Sequence, residues 1–363
     1  MGDSDRLRIG LVSGPMVPIP PPRYAGTERI VSVLVDELVR RGHVVTLIGP
    51  GDSRANCELI STIDQALWTS GMRGDVTPYI QVSMERAWAA CEQFDVIHSH
   101  LDTLSFPLAR HCSTPVLHTL HGRLDMPGLP ELLGEFREIP LVAISESQRR
   151  WHPQNNWVAT IHHGLPLDGA PFRPEPGAYL AFVGRVAPEK GVDAAVELAR
   201  MSGMHLRMAA KVHEELEERL FEEVVQPGID DGLVTYEGEL GAAERDELLA
   251  GAAATMMLGA WPEPFGLVAI ESMATGTPVI GRRAGALTEI VEHGRTGFLV
   301  DDLQEAQLAI RSVRELDRNE VRRAVLERFN VERMVDDYEE VYRSLAVAQA
   351  TGVGGSLEAL AAS

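Results

Sequence analysis

Two kinds of apolar run alternate along this chain. Leu7–Ser13 (LRIGLVS) is continuous and bounded by turn residues, the pattern of a strand covered on both faces. Five prolines in Gly14–Tyr24 rule out helix or central strand there and predict a loop at that strand's C-terminal end. From Gly26-Thr27-Glu28 the period changes: Ile30, Val31, Leu34, Val35 and Leu38 recur at helical spacing, predicting an amphipathic helix to about Arg41. Gly42-His43 ends it, and Val44–Gly49 reads as the second strand. Further strands are predicted at Asp95–His98, Val116–Leu120, Leu141–Ile144 and about Trp157–His162, with Ser145 in Ser145-Glu146-Ser147 as a helix N-cap. Strand and helix in alternation predict a parallel, doubly wound sheet.

Four prolines in Leu165–Pro176, after Ile161-His162-His163-Gly164, mark a domain boundary, and the pattern then restarts. Strands are predicted at Ala178–Val183, His205–Lys211, Val234–Glu237 and Ala253–Leu258, with helices from about Val192, at Glu214–Val225 and at Glu244–Ala250. Helices at about Leu303–Leu316 and Val321–Phe329 follow, then one from Val331 with Met334, Val335, Tyr338, Val341 and Tyr342 inward. Ala346–Ser363 is rich in Gly, Ala and Ser and is expected to be loose. The divisions this implies are an α/β domain over 1–170, a second over 171–330, a last helix over 331–348 and a flexible tail over 349–363.

Length and charge narrow the function. At 363 residues the chain exceeds one typical core. The 33 basic against 53 acidic residues, net −20, argue against nucleic acid and against a polybasic membrane anchor, so an anionic substrate needs a local basic patch. No apolar run approaches membrane-spanning length and MGDSDRLR has no hydrophobic segment, so neither a span nor a signal is expected, while peripheral membrane contact stays open. Three cysteines without CxxC spacing suit a reducing cytoplasm.

The densest chemistry lies in Trp261–Val300 (WPEPFGLVAIESMATGTPVIGRRAGALTEIVEHGRTGFLV). Pro262 and Pro264 hold the chain extended around Glu263, Gly266 lets backbone approach a ligand, and Leu267–Ala274 reads as a helix. Unpaired N–H groups from about Phe265 to Leu267 would then face a phosphate. Glu271, eight residues after Glu263, is expected further along the same helical face. Carboxylates beside an anion site suit hydroxyl groups, so a diphosphate flanked by polyols, a sugar nucleotide, fits best. Arg185 and Lys190 flank a proline-containing turn at another strand end and supply the cations a diphosphate needs. His121, freed from its strand by Gly122, is the candidate imidazole, with His118 and Leu120 sharing a strand face. His98-Ser99-His100 has no third ligand at metal-binding spacing and reads as polar strand-end residues.

Glu263-x7-Glu271, Gly276-Thr277-Pro278-Val279 and Gly294-Arg295-Thr296-Gly297-Phe298 together resemble the retaining glycosyltransferases of family 4, glycosyl transferases group 1, with the GT-B fold. The resemblance implies two Rossmann-like domains facing a cleft, the last helix crossing back to the first. It implies transfer of a sugar, best glucose or another hexose on UDP, to an unidentified acceptor, with retention and without a metal or cofactor. Arg185 and Lys190 would grip the diphosphate, Glu271 would take ribose hydroxyls, and Glu263 those of the sugar. His121 would lie near the transferred sugar and position rather than deprotonate. In the first loop the family has Gly-Gly where this chain has Ala25-Gly26, so Gly26 alone would approach the donor phosphates, and Glu28 could instead meet an acceptor. No chemistry is assigned to His163-Gly164, where the family has Asn-Gly. A sugar-nucleotide epimerase of the same fold and a non-catalytic homologue are the alternatives.

Overall fold

The computed structural model describes residues 6–72 and 74–351. The chain divides into two units, one running to Leu165 and resuming at Val331, the other Pro166–Asn330. In the first unit seven strands form one parallel sheet: β1 (Arg8–Val12), β2 (Val44–Pro50), β3 (Glu58–Ile63), β4 (Val96–Ser99), β5 (Val116–Leu120), β6 (Leu141–Ala143) and β7 (Trp157–Thr160). Their order is β3-β2-β1-β4-β5-β6-β7. In the second unit β8 (Tyr179–Arg185), β9 (His205–Lys211), β10 (Val234–Gly238), β11 (Ala254–Met257), β12 (Val279–Arg282) and β13 (Gly297–Val300) run parallel in the order β10-β9-β8-β11-β12-β13. Both orders reverse once, at β1/β4 and at β8/β11. In open α/β sheets the strand C-termini diverge at such a point and leave a crevice for a ligand.

The helix Val331–Thr351 belongs to the first unit, where it packs on the helix Gly26–Arg40 and on β4. Met334, Val335, Tyr338 and Tyr342 are buried there, which is the periodic face read in the sequence. Arg41 pins the helix, bonding Glu37 at 2.7 Å, Asp336 at 2.5 Å and the Glu332 carbonyl at 2.9 Å, while His43 Nε2 lies 2.6 Å from Glu339. The expectation of looseness from Ala346 is corrected as far as Thr351, which is helical; the remainder of the expected tail lies outside the described residues.

Three other departures have local causes. The sequence reading missed β3: it is an edge strand whose first four residues are not buried, so it lacks an apolar run. The acidic helix does not stop at Val225 but continues through a widened π turn, Phe221–Val225, into Gln226–Asp230. That turn accommodates Pro227, which has no N–H to donate and crowds an α turn. β8 runs past the expected end at Val183 to Arg185, because Gly184 and Arg185 still pair with Ala210 and Lys211 of β9. Among the described residues no helix is long and apolar enough to cross a membrane.

Candidate functional site

The cationic side of the site stands at the C-terminal end of β8. Arg185 bonds Glu217 at 2.7 Å and Glu189 at 2.5 Å. Beyond it Pro188–Lys190 forms one 3-10 turn, and Gly191 takes φ +71° to start the helix Val192–Ser202. A Cβ on Gly191 would stand 2.6 Å from the Leu258 carbonyl, and one on Gly259 would stand 2.1 Å from the Glu189 carbonyl. The loops after β8 and β11 therefore lie backbone to backbone, a distance only glycine permits. That approach brings Lys190 Nζ to 2.8 Å from Glu263 Oε2 and 5.0 Å from the centre of the Trp261 ring.

Glu263 is held twice more. Trp261 Nε1 donates to the same carboxylate oxygen at 3.3 Å, and the Glu263 carbonyl accepts from Ala286 N–H at 2.8 Å. Gly285, at φ +60°, makes room for that peptide, since a Cβ there would meet Glu263 N at 2.5 Å. Gly266, at φ +97°, then turns the chain into the helix Leu267–Ala274, whose first turn has no side-chain cap. Phe265 is buried, its ring meeting Phe329 edge-on at 6.0 Å, and Leu267 is buried too, so both face the site with backbone only.

The two carboxylates do not share one helical face. Residues 261–266 are not helical, so the eight-residue count from Glu263 to Glu271 does not convert to an angle, and Glu271 is the fifth residue of its helix. Its side chain is 3% exposed and its Oε1 pairs with Arg245 at 3.2 Å. Glu263, at 18% exposed, is the more open of the two.

In the first unit the loop histidine is part of a buried cluster. Asp102, a non-glycine residue at φ +49°, accepts at one oxygen from His121 N–H (2.6 Å) and Gly122 N–H (3.4 Å). His121 Nε2 meets His100 Nδ1 at 2.9 Å, and His163 stacks on the other side with ring centres 5.3 Å apart. His98 packs against His100, 4.0 Å between centres, and bonds Tyr342 at 2.8 Å and Thr119 at 2.7 Å; Tyr338 also bonds Thr119. His118 meets Ser105 at 3.0 Å. His98 and His100 are thus buried rather than polar strand-end residues. Burial holds all five imidazoles below their ordinary pKa, His118 at about 3, with Asp102 opposing the shift at His121. Among the described residues no three of His, Cys, Asp and Glu are grouped to hold a metal ion.

Gly26 opens the helix Gly26–Arg40 from an extended Ala25, and Glu28 in its first turn is raised in pKa by burial. Sequence reasoning missed Trp261, Glu189, Glu217, Arg245, His100, Asp102 and His163. A signal was available for Gly259 and Gly285, glycines at strand ends flanking named residues. There was none for pairings made across the fold.

The family model for glycosyl transferases group 1 matches residues 168–330, and that for glycosyltransferase family 4 matches residues 24–168. The D-inositol 3-phosphate glycosyltransferase of Streptomyces avermitilis is 28% identical over 280 residues, covering 62% of this chain and 58% of its own length. That of Kribbella flavida is 30% identical over 276 residues, covering 60% and 63%. The N-acetyl-alpha-D-glucosaminyl L-malate synthase of Bacillus anthracis is 41% identical over 95 residues, 24% of this chain and 25% of that one. The match thus spans about six-tenths of the length of the curated inositol-phosphate relatives. In fold the chain is similar to AviGT4, a glycosyltransferase involved in avilamycin A biosynthesis, with TM-score 0.71, 24% identity and 94% and 98% of the two chains covered. It is similar also to Anabaena Alr3699/HepE in complex with UDP-glucose, with TM-score 0.72, 17% identity and 93% and 100% covered. Two family models meeting at residue 168, over two parallel doubly wound sheets, make this chain a member of the family 4, group 1 glycosyltransferases of GT-B fold.

Proposed function

We propose that this chain transfers a hexose from a nucleoside-diphosphate sugar, with UDP-glucose the first donor to try, retaining its anomeric configuration and needing no metal ion. One observation carries the reading: Lys190 Nζ sits 2.8 Å from Glu263, beside Arg185 and the uncapped start of the helix Leu267–Ala274. A cation and the N-terminal turn of a helix suit a diphosphate, and the carboxylate between them suits sugar hydroxyls. In the reaction the bond from C1 to the diphosphate oxygen breaks, and C1 bonds the acceptor oxygen on the same face. The departing phosphate takes the acceptor's proton. Lys190, Arg185 and the N–H groups near Phe265–Leu267 offset the charge that collects on the leaving group. Glu263 orients the sugar, Glu271 accepts from the ribose, Gly26 gives the donor phosphates room in its loop, and His121 positions without deprotonating. Relatives named for inositol 3-phosphate and for L-malate make a polyol phosphate and a hydroxy acid the first acceptors to try.

The test is a thermal-shift series with UDP-glucose, UDP and uridine, repeated in EDTA. A ligand that binds only the folded chain stabilises it by about 2.7 kcal/mol at a hundredfold its Kd. UDP and UDP-glucose should raise Tm and uridine should not, with EDTA without effect. A uridine shift equal to that of UDP would remove the diphosphate site.

A further inference from the structure

The mechanism leaves open which nitrogen of His121 carries its proton. His121 Nε2 and His100 Nδ1 are 2.9 Å apart, so one donates and the other accepts. His100 Nε2 is buried with no hydrogen-bond partner. If His121 were the donor, the neutral His100 would carry its proton on that orphaned Nε2, a buried N–H bonded to nothing. If His100 is the donor, the orphan is a lone pair. Orphaned buried N–H groups are the rarer and costlier of the two. His100 cannot escape by ionising, because desolvation and the neighbouring His98, His121 and His163 keep it neutral.

The surroundings leave His100 nowhere else to turn. Both nitrogens of His98 are engaged, by Tyr342 and Thr119, so His98 offers His100 a ring face and no hydrogen bond. Asp102 fixes the His121 backbone and His163 stacks on its ring, so His121 cannot swing away. In a neutral imidazole the partner of one nitrogen decides the protonation of the other.

We propose that His100 is a positioning residue that donates from Nδ1 to His121 Nε2, locking His121 as the Nδ1–H tautomer, so that it offers its ligand a hydrogen-bond donor and not a base. This rests on His121 taking part in the transfer. It explains why an imidazole at this place would hold a substrate oxygen while the departing phosphate removes the proton.

The experiment uses the full chain labelled with 15N-histidine, with two-bond proton–nitrogen correlation spectra at pH 7.5. The His121 signals are those lost in His121→Gln. Protonated Nδ1 with bare Nε2 is expected; the reverse pattern, or a mixture averaging the two, overturns the proposal. His100→Leu should release His121 toward the Nε2–H form that predominates in free histidine. His100→Asn, which keeps an amide N–H near the place of Nδ1, should preserve the Nδ1–H form. UDP-glucose turnover without added acceptor, read as UDP release, should fall about tenfold in His100→Leu, the worth of one hydrogen bond, and recover in His100→Asn. Affinity for UDP should not change in either. If His121→Ala is impaired while a folded His100→Leu turns over normally, the proposal fails. If His121→Ala itself turns over normally, the role of His121 fails, and the spectra still decide the tautomer.

Discussion

Acidification should destabilise the first unit at a pH where most α/β domains lose little. Five imidazoles, His98, His100, His118, His121 and His163, are held neutral by burial, each with its pKa lowered. In the unfolded chain each takes up a proton near pH 6.5. Near pH 8 neither state binds those protons and nothing is lost; as the pH falls through about 6.5 the unfolded chain gains them and the native one does not, so stability falls with pH. The loss continues until the folded values are reached, about 3 for His118. At pH 5.5 some nine-tenths of each unfolded imidazole is charged. His118, with its folded value at about 3, then separates the states by nearly one proton, a slope approaching about 1.4 kcal/mol per pH unit. The other four imidazoles add to it in the same direction. Integrated from pH 8 to 5.5 the loss is about 1.4 kcal/mol for His118, and the other four deepen it, against a whole stability of about 5–15 kcal/mol for an ordinary domain. Asp102 and Arg333 are the charged groups that bear on the cluster. Asp102 favours the charged form of His121, which reduces the share of that residue. Urea melts at pH 8, 7, 6 and 5.5, followed by tryptophan fluorescence, measure it directly, because Trp68, Trp88, Trp151 and Trp157 report on the first unit and only Trp261 on the second. His118→Asn should flatten the slope by about 1.4 kcal/mol per pH unit, one proton's worth. A profile that loses less than one proton's worth between pH 8 and 5.5 would refute the neutral cluster.

Lys190→Ala should weaken UDP much more than uridine and reduce kcat/KM by roughly ten- to a hundredfold, the worth of a charge-assisted contact, as calorimetry and steady-state kinetics with UDP-glucose will read. Arg185→Lys should recover only part of what Arg185→Ala loses, since the bidentate fork is gone. Glu263→Gln should act mainly on kcat; Glu271→Gln should raise the donor KM and also lower Tm, because the same carboxylate holds the buried Arg245. Gly285→Ala should abolish turnover in a chain that still folds, since its methyl group would displace the Glu263 peptide, and normal kinetics there would mean Glu263 is not fixed by that contact.

The sequence by itself determined the alternation of strands and helices, the break near residue 165, and the stretch that carries Glu263. These are local properties: a buried parallel strand is a continuous apolar run, a surface helix shows its period, and prolines stop both. Leu267–Ala274 and His205–Lys211 come out with the ends read from the residues alone. Where local pattern was weak the reading failed, at the edge strand β3, and where regular geometry was assumed through Pro262–Gly266 the two glutamates were wrongly placed on one face. Tertiary structure alone decided what each named residue touches. Lys190 reaches Glu263 because Gly191 and Gly259 let two loops meet, 73 positions apart in the chain at the pair itself. His98 and Tyr342 are bonded across 244 positions, and His100 faces His121 across 21. No spacing encodes such a pairing. The strand order sets which strand ends are neighbours, and only that neighbourhood turns histidines that read as polar strand-end residues into a buried, neutral, hydrogen-bonded cluster.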